Sequence, residues 1–209
     1  MKHIITMLCL LLFAAFGMAQ EKNFISTCGK TQTVIKWSEE HKNGKILLNT
    51  AQGSERHEYL LGNGYKNESW KIVNPSTNTN LTVSLNRGTY TLSGRFRGKA
   101  ISKTVKSKGK PWYQNIAYNA GLTLKKGKSV EYECFRPDNM KLYTMSATKK
   151  GIERFNGKNA LRIEVSLTGF MSVFWNCDYY FDPHTFLFAG YKGVNGGPGT
   201  PETKITVSR

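Results

Sequence analysis

Acidic side chains are scarce in this sequence. Fourteen Asp and Glu stand against thirty Lys and Arg, a formal net charge of +16 at pH 7. Such a chain is drawn to anionic partners, phospholipid head groups and acidic polysaccharide among them. The plain alternative is that the charge keeps an exported protein soluble; nucleic acid is not an expected partner.

Histidine and cysteine are equally sparse, at four each. Of the histidines, His41, His57 and His184 lie beyond the first twenty residues, and no two stand at a ligand spacing such as i, i+4. Neither a metal site nor a cofactor is expected. Beyond Cys9 the cysteines are Cys28, Cys134 and Cys177. An odd number leaves at least one thiol free or paired between chains, and spacing does not choose among the three possible bridges. With so few cysteines, the core must carry stability.

Long apolar runs are limited to one, Ile4 to Phe16, preceded by Lys2 and followed by Gly17-Met18-Ala19. A basic start, a short apolar stretch and small residues read as a secretory signal cleaved after Ala19. Export to the periplasm or beyond follows as an expectation. Residues 1–19 are thus assigned to the signal, 20–31 to a flexible lead-in and 32–209 to a single domain. Helical periodicity is nearly absent too.

What is present is alternation. In "ALRIEVSLT" (160–168), Leu161, Ile163, Val165 and Leu167 are apolar and the residues between them polar. That is a strand with one buried and one wet face. "SVEYEC" (129–134), "NLTVSL" (80–85) and "TKITVS" (203–208) repeat it. Turn letters separate such runs, including Asn43-Gly44, Arg97-Gly98, Lys108-Gly109, Lys150-Gly151 and Asn156-Gly157. This rhythm predicts an antiparallel meander. "PWYQNIAYNA" (111–120) is the one plausible helix, with Pro111 at its first position and Gly121 at its end. The predicted fold is mostly β: a strongly curved antiparallel sheet, a half-barrel or open barrel, carrying one short helix.

"WNCDYYFDPHTF" (175–186) crowds a cysteine, two carboxylates and an imidazole into one stretch. Trp175, Cys177, Tyr179 and Phe181 alternate, so Cys177 points inward beside aromatics, where its pKa rises. Asp182-Pro183-His184-Thr185 has the letters of a type I turn. His184 then lies about 20 Å along the strand from Cys177, too far for nucleophile and base. No catalytic residue is assigned.

Two features point to binding instead. "RFRGKAISKTVKSKGK" (95–110) carries seven cations and no acid. Arg95, Arg97, Lys99 and Lys103 are the candidates there for a phosphate or carboxylate, unless they merely blunt an exposed hairpin. Aromatics gather around Trp112, Tyr113, Tyr118, Phe170, Phe174, Trp175, Tyr179 and Tyr180. Trp112, Tyr113, Gln114, Trp175 and Tyr179 are the candidate ligand contacts. One short helix cannot cover a large sheet, and an uncovered apolar face binds something.

"PWYQN" (111–115), "FRPDNMKLYTMSA" (135–147), "FNGKNALRIEVSLTGFMSVFWNCDYYFD" (155–182) and "GGPGTPET" (196–203) together resemble an uncharacterised group of secreted, β-rich bacterial proteins. The hairpin around "YYFDPHT" is also similar to the late hairpin of periplasmic lipoprotein-carrier half-barrels, whose curved sheet wraps a helix and cups acyl chains. The resemblance implies a fold and brings no catalytic residues. The expected function is non-catalytic binding of an anionic amphiphile such as a lipid, with possible contact to a membrane surface. The alternatives are a module for acidic glycan or the cell surface, and a hydrolase whose site the sequence does not display. Oligomeric state is open.

Overall fold

The computed structural model describes residues 20–169, 175–194 and 200–208. Residues 1–19, the aromatics Phe170 and Phe174, and residues 196–199 of the glycine-rich stretch lie outside them. Fourteen antiparallel strands form one sheet: β1 (Gln20–Cys28), β2 (Thr31–Lys42), β3 (Lys45–Gln52), β4 (Glu55–Leu61), β5 (Asn67–Asn74), β6 (Thr79–Asn86), β7 (Thr89–Phe96), β8 (Lys99–Lys106), β9 (Ser129–Phe135), β10 (Leu142–Phe155), β11 (Lys158–Leu167), β12 (Asn176–Phe181), β13 (Phe188–Val194) and β14 (Glu202–Val207). Every strand pairs with its sequence neighbour except across the break between β8 and β9. The two halves join where β14 pairs with β1. The curved antiparallel sheet with one helix is therefore the architecture the alternation predicts.

Tight hairpins set the register. Asn43 and Gly44 both adopt positive φ, 52° and 72°, between the paired ends Lys42 and Lys45. That turn matches the right-handed twist of its strands and suits Asn-Gly. Arg87-Gly88, Arg97-Gly98 and Asn156-Gly157 repeat the geometry.

Four expectations are corrected. Residues 20–31 are not a flexible lead-in: β1 pairs with both β2 and β14, and Phe24 is 1 % exposed in the core. Lys150-Gly151 does not end a strand. Gly151, at φ 116°, forms a bulge that bends the long β10 without breaking it. Lys108-Gly109 closes no hairpin and opens a strap across the sheet. The helix α1 (Ile116–Thr123) begins five residues later than Pro111 suggests. Its cap is Asn115, whose side chain accepts from the Tyr118 amide. The preceding Pro111–Tyr113 backbone is recruited by β9, whose Glu133 amide donates to the Pro111 carbonyl at 2.8 Å and whose carbonyl accepts from Tyr113 at 3.0 Å.

That strap explains how the sheet shuts without β8 pairing to β9. Along β9, Tyr132 and Cys134 face one core, while Glu133 and Phe135 face Tyr90 of β7 and Trp112 of the strap. The first edge of the sheet laps over the last, like a scroll. α1 lies in the concavity between two apolar clusters, giving Tyr118 to the β3–β8 side and Ile116, Ala120 and Leu124 to the β9–β13 side. Gly121 permits its close approach, since a Cβ there would sit 2.1 Å from the Phe186 carbonyl oxygen and 2.5 Å from the Phe181 ring.

Candidate functional site: an aromatic trough beneath the helix

Where α1 stops short of β1 and β2, the concave face is uncovered. A cavity of about 160 Å³ and a second of about 230 Å³ share Ile35, Trp37, Ala117 and Tyr179, so they form one continuous trough. Joined, they reach the lower end of the roughly 300–1,000 Å³ usual for small-ligand sites.

The sheet register builds the apolar end. Phe24 of β1 lies opposite Ile35 of β2, and Tyr179 of β12 opposite Tyr191 of β13. Cross-strand partners share a face, so these rings point into one concavity. Trp37 and Phe188 stack at 5.5 Å and 13°, with Phe24 leaning on Trp37 at 4.8 Å. Tyr179 meets Tyr191 edge-on at 5.0 Å. Burial pushes the Tyr179 hydroxyl well above its ordinary range, so it is neutral near pH 7.

The other end is polar, lined by Thr50, Gln52, Glu55, His57, Gln114 and Asn115. Its centre is a fixed imidazole. Trp70 donates its indole N–H to Nδ1 of His57 at 3.0 Å, and Nε2 of His57 lies 2.8 Å from Glu55. An indole nitrogen only donates, so Nδ1 is the acceptor and Nε2 carries the proton given to Glu55. Both ring nitrogens are thereby engaged, and neither is left to act as a base. That hydrogen bond, more than any other influence, holds the Glu55 carboxyl below its ordinary range. The ring lies parallel to Tyr59 and Trp70, each 5.8 Å away.

Tyr179 and Gln114 are the sequence-derived candidates that line this trough. Gln114 is held rigidly: its Nε2 donates to the Phe135 carbonyl at 2.7 Å and its Oε1 accepts from the Phe135 amide at 2.9 Å. Trp112 is 1 % exposed, enclosed by Tyr90 and Phe135. Tyr113 is buried against Tyr132. Trp175 packs beside the β9–β13 core and donates to the Val194 carbonyl at 2.9 Å.

The basic hairpin does not meet the trough, and its cations are not on one face. Lys103 pairs with the buried Leu92 and so faces inward, its ammonium 3.5 Å from the Met140 carbonyl. Arg95 pairs with Ala100 on the outer face and donates to the Gly98 carbonyl. Arg97 sits in the turn with its guanidinium over Phe96, and Lys99 is exposed beyond it. Arg95 and Lys103 fall on alternate sides of the pleat because the two-residue turn sets that register.

Phe24, Ile35, Trp37, Ala117 and Phe188 were not singled out from the sequence. Ile35 and Trp37 do alternate with Val34 and Lys36, which is a strand signal. Nothing local shows that α1 leaves them uncovered.

Among the described residues, no cluster of His, Cys, Asp or Glu could hold a metal ion, and no helix is long and apolar enough to cross a membrane. No family model and no curated protein matches the sequence. Among solved structures, MucB aligns at a TM-score of 0.36 and 9% identity, over 91% of this chain and 52% of that one, too loosely to define a shared fold. The beta-barrel-like protein of the domain of unknown function DUF1849 from Brucella abortus aligns at a TM-score of 0.58 and 5% identity, over 92% of this chain and 96% of that one. With so little identity over nearly the full length of both, the similarity is one of architecture: this chain has a curved, beta-barrel-like antiparallel fold.

Proposed function

We propose that this protein is an exported, non-catalytic binding protein whose trough holds the apolar part of an anionic amphiphile such as a lipid. The observation that carries the reading is the continuity of the trough, from Phe24, Trp37 and Phe188 through Ala117 and Tyr179 to the polar end at His57. An apolar tail gains about 25 cal/mol for each Å² it removes from water, and the clustered rings supply that area without reordering the chain.

The charge distribution orients the guest. Glu55 lies at the polar end of the trough, and Glu39 lines a cavity of about 20 Å³ that shares Phe24, Trp37, Ala117 and Phe188 with its apolar end. An acidic head group is repelled from the Glu55 end and stays at the opposite rim, where Lys22 stands beside Glu39 and the exterior is basic. The engaged nitrogens of His57 support a binding role over hydrolysis.

Displacement of a fluorescent polyene fatty acid by oleate tests the reading. The intact protein should bind the probe saturably in the micromolar range. Ala117→Trp, which fills the shared middle of the trough from the helix, should abolish binding while the thermal transition is preserved. Absence of saturable binding by the intact protein, or equal binding by a folded A117W variant, would remove the proposal.

A further inference from the structure

We infer a second binding site, on the opposite side of the same strands, for an acidic oligosaccharide. The outer face of β1–β5 carries a groove of about 490 Å³. Trp37, Thr50 and His57 border both the groove and the trough's neighbourhood, their side chains turned inward, so the two sites stand back to back through β2, β3 and β4.

The register writes the groove as two rows. Lys36 lies opposite Ala51, and Ala51 opposite Arg56. In the next row Ser38 lies opposite Asn49, Asn49 opposite Glu58, and Glu58 opposite Lys71. In the first row the small Ala51 thus separates two long cations, and in the second Ser38 and Asn49 lead to the charged pair Glu58 and Lys71. Lys36 and Arg56 are two strands apart, about 10 Å, with only the Ala51 methyl between them.

Lys36, Arg56 and Lys71 are exposed, and none joins an ion pair among the described residues. Lys45, Lys110, Lys150 and Lys192 elsewhere on the molecule each have a carboxylate partner. The groove therefore holds three cations outside any ion pair, with the carboxylates of Glu21 and Glu58 in the same lining and a hydrogen-bonding floor between them.

That combination fits a sugar acid. The ammonium and guanidinium groups match spaced carboxylates. The Ser38 hydroxyl and Asn49 amide serve sugar hydroxyls, and the Glu58 carboxylate accepts from them. Glu21 and Glu58 in the same groove oppose a densely charged phosphate backbone, which separates this site from one for nucleic acid.

Calorimetry with a galacturonate hexamer tests the assignment on the intact protein at low salt. Saturable binding is expected, weakening as salt is added, with maltohexaose failing to bind. Lys36→Ser with Arg56→Ser should weaken binding at least tenfold and leave the thermal transition and fatty-acid binding unchanged. Arg95→Ser with Lys99→Ser removes the same charge elsewhere and should leave hexamer binding within about twofold. Equal loss in both double variants, no binding by the intact protein, or equal binding of a single-stranded DNA hexamer would overturn the inference. Because the trough lies on the other face, failure of either site leaves the other standing.

Discussion

The Tyr90 hydroxyl donates to the carboxylate of Glu133 at 2.7 Å, across the one place where the sheet has no strand ladder. Glu133 is fully buried, and the Ser107 hydroxyl and the Lys108 and Lys110 amides donate to the same carboxylate. Four donors replace its hydration, so the scroll is fastened by an anion without a buried cation.

Loss of that anion should loosen the seam. Glu133→Gln sets an amide N–H₂ against N–H and O–H donors and should cost about 3 kcal/mol or more. Tyr90→Phe removes one donor and should cost about 1.5–3 kcal/mol. Urea unfolding monitored by tryptophan fluorescence checks both. A Glu133→Gln midpoint equal to that of the parent would show that the carboxylate does not hold the seam.

Stability should fall in alkali. Burial, the main cause, pushes the Cys177 thiol from its ordinary 9.0 up to about 12, and burial does the same to Cys134. In the unfolded chain these thiols ionise from about pH 9, whereas the folded chain keeps them protonated. The folded state therefore binds more protons, and the stability present below pH 9 is lost as pH rises toward 12. Urea midpoints at pH 8 and pH 10.5 measure this. Cys177→Ala should lower stability at pH 8 and reduce the alkaline drop; an unchanged drop would contradict the assignment.

Gly121→Ala should displace α1. The added methyl meets the Phe186 carbonyl and the Phe181 ring, neither of which moves freely in a close-packed interior. A loss of about 1–3 kcal/mol is expected, together with weakened fatty-acid binding, because Ile116 and Ala117 move with the helix. Thermal melting and probe titration read the two effects separately.

His57→Phe should be worse than His57→Gln. Phenylalanine keeps the stack on Tyr59 and Trp70 but leaves the indole N–H without its acceptor, at about 1–3 kcal/mol. Glutamine retains an acceptor for Trp70 and a donor for Glu55. Greater destabilisation by glutamine than by phenylalanine would assign the role of His57 to stacking alone.

Most of the fold was legible because alternation and turn chemistry are local. Leu161, Ile163 and Val165 are inward and buried, as their spacing requires. Cys177 is buried beside aromatics, and the Asp182 turn forms, its carboxylate accepting from the His184 and Thr185 amides. The errors fall where a segment's conformation is chosen by a distant partner. Trp112 is extended because β9, some twenty residues on, offers its edge. Residues 20–28 are a strand because β14, at the other end of the chain, pairs with them.

The sequence alone determined a curved antiparallel sheet with one helix, a surplus of positive charge and an inward, unreactive Cys177. These depend on side-chain period and turn residues, which act over a few positions. The tertiary structure decided that Trp112 is sealed in the core, that Phe24, Trp37 and Phe188 line the open trough, and that Lys103 and Arg95 part to opposite faces. Those outcomes rest on strand register, on the overlap of the two sheet edges and on where the helix stops. Each is a contact between residues far apart along the chain, and no local pattern encodes it.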